Sequence, residues 1–248
     1  PDAWLKYQLE RVIGRGRSGT VFLARHLGLD EERAIKRVRR TESGFIQEAA
    51  LLKRLRHPGI PIIYDLEIDE NYYYLIEEYL CGESLYARIE RTGSLQTGEL
   101  IRLGIELCRI MNYLHSFKPN PILYLDLHPG NLLICREQLK LIDFDQAALA
   151  SLSQERSVCY GTKGFAAPEQ YEGGTLDERT DIYAIGALLY YMGTGHAPEG
   201  EIKAGQGSCR GDLYILMGRC LRTEKKERCQ SVREVLEALE KLEARIFA

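Results

Sequence analysis

Three oxygen-bearing side chains fall within one short stretch of the chain. Asp126 lies five residues before Asn131, and Asp143 follows in the apolar run Leu-Ile-Asp-Phe after a short predicted hairpin. Phosphoryl transfer from ATP requires a carboxylate beside the attacking hydroxyl, and oxygen ligands such as an amide and a second carboxylate beside Mg²⁺. The stretch therefore predicts a phosphotransferase site that uses ATP and Mg²⁺.

A glycine-rich segment near the start of the chain could bind the phosphates. It contains Gly14, Gly16, Gly19 and Val21 in the order G-x-G-x-x-G-x-V. Glycine has no Cβ, so backbone amides can approach a phosphate closely. Dinucleotide-binding folds use a similar string before a helix, whereas the residues that follow here, Val-Phe-Leu-Ala, predict a strand. We interpret the segment as a phosphate-binding hairpin, with an ordinary glycine-rich hairpin as the alternative.

A lysine and a glutamate form the next candidate pair. Lys36 ends the run Ala-Ile-Lys in an apolar strand, where many lysines lie at an edge and point to solvent. Glu48 falls on the apolar face of a predicted helix. A carboxylate on a buried face needs a partner. We therefore predict that Lys36 pairs with Glu48, which fixes the ammonium against the α- and β-phosphates.

The surrounding elements change in type along the chain. Strands are predicted over 9–13, 21–25, 33–38, 62–68 and 72–80, and helices over 44–56, 100–114, 182–192 and from 231 onwards. The apolar fraction of 45% is enough for a sizeable core. The sequence predicts an α+β fold of one domain, residues 1–248. Its β-rich N-terminal lobe covers about residues 1–80, and its helical C-terminal lobe covers about residues 81–248.

Bulk properties exclude several other classes. The net charge of −3 gives no general basis for binding nucleic acid or an anionic membrane. Seven cysteines without a Cys-x-x-Cys pair indicate reduced thiols rather than a zinc site. The longest apolar run, 182–192, is too short to cross a bilayer, and the first residues do not form a secretory signal. We expect a cytoplasmic location, no nucleic-acid partner and no membrane segment within this chain.

These motifs, in this order, resemble the protein kinase family over nearly the whole chain. They run from the glycine-rich loop through Ala-Ile-Lys, the helix glutamate, Asp-x₄-Asn and Asp-Phe-x to Ala-Pro-Glu at 167–169. The segment 161–171 is most like bacterial serine/threonine kinases. The resemblance implies a bilobal fold and a protein substrate with a Ser or Thr hydroxyl. It also implies that Asp126 accepts or orients the hydroxyl proton, and that Asn131 and Asp143 hold Mg²⁺.

The resemblance assigns a nucleotide site as well. Glu78 and Leu80 would offer backbone groups to adenine, while Val21, Ala34 and Leu133 would enclose the ring. Together with the three glycines and Lys36, these residues make up the expected ATP site.

Further roles follow from the resemblance in the second half of the chain. Thr162 would contact the catalytic aspartate, which is the basis for expecting Ser/Thr rather than Tyr specificity. Glu169 would pair with Arg228, and Asp181 would hold the backbone of the catalytic loop. Seen alone, an aspartate at that position would be read as a helix cap.

Four positions depart from the family pattern. Leu125 stands where an arginine is usual before the catalytic aspartate, so no cation is expected there to bind a phosphate on the activation segment. His128 replaces a lysine and could still hydrogen-bond the γ-phosphate, mostly without a charge. Asp145 replaces the glycine of Asp-Phe-Gly. Glu77 replaces an apolar residue, which predicts a carboxylate at the back of the nucleotide pocket.

Two alternative functions remain open. Asp-Leu-His-Pro-Gly-Asn with Ile-Asp-Phe-Asp is similar to the aminoglycoside and choline phosphotransferases, which phosphorylate small molecules. Those enzymes lack the Gly-Thr to Ala-Pro-Glu segment that this chain has, so the sequence favours a protein kinase. The other alternative is a pseudokinase scaffold. It is disfavoured because Lys36, Asp126, Asn131 and Asp143 are all present. The sequence predicts no oligomeric state.

Overall fold

The computed structural model describes residues 6–16, 19–41, 45–153, 161–199, 202 and 211–246, without the side chains of 45, 47, 48, 152 and 153. It forms two compact units, one of Pro1–Gly82 with Ile142–Asp145 and the other of Glu83–Leu141 with Gln146–Ala248. The N-terminal unit is rich in sheet and the C-terminal unit is mostly helical. The predicted α+β class is therefore confirmed.

The first unit is built on an antiparallel sheet of five strands in the order β1-β2-β3-β5-β4. These strands are β1 (Tyr7–Arg15), β2 (Thr20–His26), β3 (Glu31–Arg39), β4 (Ile63–Ile68) and β5 (Tyr72–Glu78). Each strand contains β-branched or aromatic side chains, which favour strands. One face of the sheet carries a buried cluster of Tyr7, Ala24, Ile35, Tyr74 and Ile76.

Helix α1 (Phe45–Leu52) connects β3 to β4 and is shorter than predicted. The sequence predicted a helix over 44–56, but a turn follows Leu52. The guanidinium of Arg56 donates to the carbonyls of Lys53 and Leu55 at 3.0 and 2.7 Å. Both carbonyls belong to the residues that follow the helix.

The second unit contains seven α-helices and five short strands among its described residues. The helices are α2 (Leu85–Thr92), α3 (Thr97–His115), α4 (Ala150–Ser153), α5 (Pro168–Glu172), α6 (Glu178–Thr194), α7 (Asp212–Cys220) and α8 (Val232–Ile246). The strands are β6 (Glu83–Ser84), β7 (Ile122–Leu123), β8 (Leu132–Cys135), β9 (Gln138–Leu141) and β10 (Ala148–Leu149). They form two antiparallel sheets, β6-β8-β9 and β10-β7.

Helix α3 is the centre of this unit and packs against both α6 and α8. Apolar side chains line its buried face at helical spacing, among them Leu100, Leu103, Leu107, Met111 and Leu114. A Cβ on Gly104 would lie 2.7 Å from Leu189 of α6 and 3.2 Å from Leu239 of α8. The absence of that Cβ allows the three helices to pack closely, and α3 thereby forms a rigid support for the loop that follows it.

Helix α6 begins at Glu178, earlier than the predicted 182, because Asp177 caps it. The Asp177 carboxylate accepts from the backbone N–H of Arg179 at 2.9 Å, and Thr180 Oγ1 accepts from the Asp177 N–H at 3.3 Å. Although α6 is apolar along much of its length, no helix of the described chain is long and apolar enough to cross a membrane.

Candidate active site

The glycine-rich segment forms the β1–β2 hairpin of the first unit. Gly14 lies in β1, and the N–H of Gly16 donates to the carbonyl of Gly19 at 2.9 Å. A Cβ on Gly19 would collide with the carbonyl oxygen of Arg37 on β3, so only glycine fits there. A strand follows the loop instead of the helix of a dinucleotide-binding fold. Residues 17 and 18, between the last two glycines, lie outside the described residues.

The strand register places the predicted nucleotide-site side chains on one face of the sheet. Val21 on β2 is paired with Lys36 on β3, and Ala34 on β3 is paired with Glu77 on β5. Alternate residues of a strand point to the same face. Val21, Ala34, Lys36 and Glu77 therefore share the face opposite the apolar cluster.

The predicted adenine-binding backbone follows directly from β5. Glu78 ends the strand, and its N–H donates to the carbonyl of Ile62 at 2.8 Å. Leu80 comes two residues later in the same unit. Leu133 lies in the second unit on β8, where it is paired with Lys140 and Ser84. The roles of these three residues towards adenine stay predictions.

Lys36 is buried, with 6% of its surface exposed, and among the described side chains it binds the carboxylates of Asp143 and Asp145. Its Nζ lies 3.1 Å from Asp143 Oδ1, and it also forms an ion pair with Asp145. Glu48 lies in α1, but its side chain is outside the described residues, so the predicted Lys36–Glu48 pair stays a prediction. The contact of Lys36 with Asp145 was not among the contacts predicted from the sequence. The available signal was the carboxylate at a position where glycine is usual.

Asp143 has a left-handed backbone with φ of 62°. Its carboxylate is 39% exposed, and Oδ1 also accepts from the N–H of Asp145 at 3.3 Å. A non-glycine residue in this conformation carries strain of about 1–3 kcal/mol, which typically persists at functional sites where surrounding contacts hold it. In this conformation the Asp143 carboxylate is exposed to solvent and is also bonded to Lys36.

Glu77 has the most perturbed carboxyl group on this face. Burial raises its pKa from the usual 4.5 to about 7; Lys36 opposes the shift, while the negative charges of Asp143 and Asp145 add to it. Position 77, where an apolar residue is usual in the family, therefore carries a carboxyl group beside Lys36 that titrates near neutral pH.

The catalytic-loop residues come together in the second unit. Asp126 follows β7, and its Oδ1 accepts from Thr162 Oγ1 at 3.0 Å. Its backbone carbonyl accepts from Asn131 Nδ2 at 3.1 Å. His128 Nε2 lies 3.9 Å from Asp126 Oδ2. The structure thus brings four of the predicted site residues to one place, with Asp126 at the centre.

The ring of His128 also has a structural role that the sequence did not indicate. Its Nδ1 accepts from the N–H of Gly130 at 3.1 Å, which caps the 3₁₀ turn Pro129–Asn131. An accepting nitrogen carries no proton, so the neutral ring has its proton on Nε2. That nitrogen is the one nearer to the carboxylate of Asp126.

The backbone before Asp126 is held in a strained conformation. Leu125 has φ of 67°. Its N–H donates to Asp181 Oδ1 at 2.9 Å, and its carbonyl accepts from Gln170 Nε2 at 2.8 Å. The N–H of Tyr124 donates to Asp181 Oδ2 at 2.9 Å. Asp181 therefore contacts the catalytic-loop backbone as the resemblance implied, while Asp177 caps the helix.

A buried ion pair anchors the segment that carries Thr162. Arg228, 1% exposed, donates to both carboxylate oxygens of Glu169 at 2.7 and 2.8 Å. Its remaining donors bind the carbonyls of Arg179, Arg222 and Thr223. A buried pair is stable only when its hydrogen bonds are satisfied in this way. The implied Glu169–Arg228 pair is therefore present and fixes the start of α5.

The donor atoms fit Mg²⁺ in type. Because Asn131 uses its Nδ2 on a carbonyl, its amide oxygen is the atom that can bind a cation. Asp143 supplies an exposed carboxylate. Mg²⁺ prefers oxygen ligands and usually takes one or two carboxylates, with phosphates and water completing its shell. The described residues contain no cluster of three or more His, Cys, Asp or Glu that could hold a metal, so the nucleotide would have to supply further ligands.

Comparison with known proteins gives consistent matches. Residues 7–242 match the family model described as "Protein kinase domain". The chain is 35% identical over 208 residues to "Serine/threonine-protein kinase PrkC" of Bacillus subtilis, covering 79% of this chain and 32% of PrkC. It is 31% identical over 210 residues to "Serine/threonine-protein kinase PknB" of Mycolicibacterium smegmatis, covering 78% and 33%. It is 30% identical over 213 residues to "Serine/threonine-protein kinase pkn3" of Myxococcus xanthus, covering 78% of this chain and 38% of pkn3. The chain spans about a third of the length of these relatives.

Proposed function

Because this chain belongs to the protein kinase family, we propose that it transfers the γ-phosphoryl group of Mg²⁺-bound ATP to a Ser or Thr hydroxyl of a protein. The contact between Thr162 Oγ1 and Asp126 Oδ1 carries this proposal, because it links the segment expected to receive the substrate with the expected base. The relatives named above are serine/threonine-protein kinases, which supports the same class of acceptor.

The residues of the first unit act on the nucleotide. The backbone at Gly14, Gly16 and Gly19 approaches the phosphates, and Lys36 donates to the α- and β-phosphates. Glu78 and Leu80 offer backbone groups to adenine, and the side chains of Val21 and Ala34 contact the ring. Asp143 and Asn131 would hold Mg²⁺, which supplies charge neutralisation at the β- and γ-phosphates.

Asp126 acts on the acceptor. Its Oδ1 is already bonded to Thr162, so the carboxylate is held in one orientation and Oδ2 is directed away from that bond. We assign to Asp126 the acceptance or orientation of the hydroxyl proton, a role that typically contributes a factor of roughly 10²–10⁴ to the rate. The bonds of Leu125 to Asp181 and Gln170 fix the backbone that carries this carboxylate.

His128 would stabilise the transferring phosphoryl group. The Gly130 N–H occupies Nδ1, which leaves Nε2–H as the donor. A neutral donor contributes hydrogen bonding without the full charge of the lysine that is usual at this position. The position of Nε2, 3.9 Å from Asp126 Oδ2, supports a role beside the reacting hydroxyl.

A small-molecule kinase is the second candidate, since the catalytic loop resembles the aminoglycoside and choline phosphotransferases. The buried Glu169–Arg228 pair speaks against it, because this pair anchors a segment suited to presenting an extended peptide. A pseudokinase scaffold is the third candidate. The ion pair of Lys36 and the hydrogen bonds that hold Asp126 and Asn131 support catalysis over simple nucleotide binding.

One experiment separates the three functions. The protein is incubated with Mg²⁺ and γ-labelled ATP in the presence of a generic Ser/Thr peptide, a set of aminoglycosides, or choline. Mass spectrometry then maps the modified group. We expect label on Ser or Thr and none in an Asp126→Asn control. Label on an amino sugar or choline alone would assign the small-molecule function. A thermal shift with Mg·ATP but no label anywhere would assign the scaffold.

Location and partners stay predictions. The five cysteines of the described chain, Cys81, Cys108, Cys135, Cys220 and Cys229, form no disulfide, and the cytoplasmic location stays an expectation from the sequence. We propose protein substrates as partners and, from the net charge of −3, no nucleic acid.

A further inference from the structure

Asp145 stands where the family has glycine, and its side chain is bonded to Lys36. The Asp145 carboxylate is 19% exposed and forms an ion pair with Lys36 Nζ, whose side chain is 7% exposed. Asp143, two residues earlier, also binds this ammonium, at 3.1 Å. Both carboxylates lie in Ile142–Asp145, which belongs to the same compact unit as the strand that carries Lys36.

The two carboxylates are not equivalent. Asp143 is the more exposed, at 39%, and it is the expected ligand of Mg²⁺. A carboxylate bound to a metal has less negative charge to offer a nearby ammonium. Asp145 is the more buried of the two, so it is the one that can remain with Lys36 when Mg·ATP binds.

Lysine needs such a partner to act as a phosphate donor at a fixed place. Its flexible four-carbon stem has large rotamer freedom, which is lost when the ammonium is held in one position. The ammonium has three N–H donors, so pairing with a carboxylate does not prevent it from binding a phosphate. A carboxylate that holds the ammonium in advance lowers the entropy lost on nucleotide binding.

We propose that Asp145 is a positioning residue for Lys36, holding its ammonium in place for the nucleotide phosphates while Asp143 is engaged with the metal. This role rests on the proposed ATP-dependent function. The glycine that is usual in the family at this position has no side chain that could bind Lys36. The role of Asp145 therefore does not follow from membership of the family.

The first measurement is the affinity of the protein for the Mg²⁺ complex of a non-hydrolysable ATP analogue, determined by calorimetry. We expect Asp145→Asn to weaken binding roughly tenfold or more, as for the loss of one charge-assisted hydrogen bond. Asp145→Glu, which keeps the charge, should recover part of the affinity. In a Lys36→Met background, Asp145→Asn should have no further effect. Equal or tighter binding by Asp145→Asn would overturn the proposal, as would an undiminished effect without Lys36, which would indicate a metal ligand instead.

The second measurement tests the pair without any nucleotide. Thermal unfolding midpoints are compared for the parent, Lys36→Met, Asp145→Asn and the double variant. We expect Asp145→Asn to lower the midpoint by roughly 2–6 °C in the parent and not to lower it in the Lys36→Met background. Glu67→Gln is the control, because Glu67 lies on β4 and pairs with Lys6; its shift should be the same in both backgrounds.

The two measurements separate the pair from the function. If the effect of Asp145→Asn on the unfolding midpoint depends on Lys36 but the protein binds no nucleotide, the Lys36–Asp145 pair is supported and the proposed function is rejected. If the effects of Lys36→Met and Asp145→Asn on the midpoint simply add and the protein binds Mg·ATP, the function is supported and the role of Asp145 is overturned.

Discussion

Glu77 gives the first unit a stability that depends on pH. Its pKa is raised from 4.5 to about 7, chiefly by burial, so the folded protein binds this proton more tightly than the unfolded chain does. Each pKa unit corresponds to about 1.36 kcal/mol, and the ionised carboxylate therefore lowers the free energy of unfolding by about 3 kcal/mol. The side chain keeps some contact with solvent, which makes this figure an upper bound.

The direction of the effect follows from the shift. Below pH 4.5, Glu77 is protonated in both states and contributes no difference. Between pH 4.5 and 7 the unfolded chain ionises while the folded protein keeps its proton, so stability falls as the pH rises and levels off above 7. Replacing Glu77 by Gln removes the titration. The stability of Glu77→Gln relative to the parent should therefore increase by up to about 3 kcal/mol between pH 5 and pH 8.

The assay is urea unfolding of both proteins, without metal or nucleotide, at pH 5, 6, 7 and 8. Other titrating groups are common to the two proteins and largely cancel in the difference. Glu70→Gln, which changes an exposed carboxylate in the turn between β4 and β5, serves as the control and should show a small difference that is constant with pH. A Glu77→Gln difference equally constant over this range would refute the argument from burial.

Four further predictions concern the proposed reaction. Asp126→Asn should lower kcat by roughly 10²–10⁴ with nucleotide affinity and unfolding midpoint unchanged; steady-state kinetics with a Ser/Thr peptide decide this. Asp143→Ala should abolish the Mg²⁺-dependent part of nucleotide binding in calorimetry, and equal affinity would place the metal elsewhere. His128→Asn, whose amide oxygen can still accept from Gly130, should lower kcat roughly ten- to a thousand-fold without lowering the midpoint, whereas His128→Ala should lower both. Because Leu125 cannot pair with a phosphate, phosphatase-treated enzyme should show an initial rate without a lag; a lag removed by preincubation with ATP would contradict this.

Much of the fold follows from local patterns in the sequence. The five strands of the first sheet and the long helix α3 carry strong periodicity, and the structure has them within a few residues of the predicted bounds. The strands β6, β7 and β10 have two residues each, too few for any alternation to be recognised. Helix α1 ends at Leu52, although the apolar spacing typical of a helix continues to Leu55.

The candidate site was likewise predictable from the sequence only in part. Spacing along the chain was enough to predict that Asp126, Asn131 and Asp143 belong to one kind of chemistry. Contacts between distant parts of the chain were predictable only where the family provides a template, as for Asp181 and the Tyr124–Leu125 backbone. The Lys36–Asp145 pair joins residues 109 positions apart and has no such template, so only the structure could identify it.

Two departures from the family pattern, Glu77 and Asp145, both add negative charge near Lys36. The carboxylates of Asp143 and Asp145 already outweigh the single positive charge of Lys36, and the ionisation of Glu77 adds a third negative charge nearby. ATP is itself strongly anionic, and like charges at short range in a partly buried site oppose its approach. A divalent cation at Asp143 would neutralise the excess negative charge that these three carboxylates leave around Lys36. We therefore expect a metal to be required for nucleotide binding as well as for transfer.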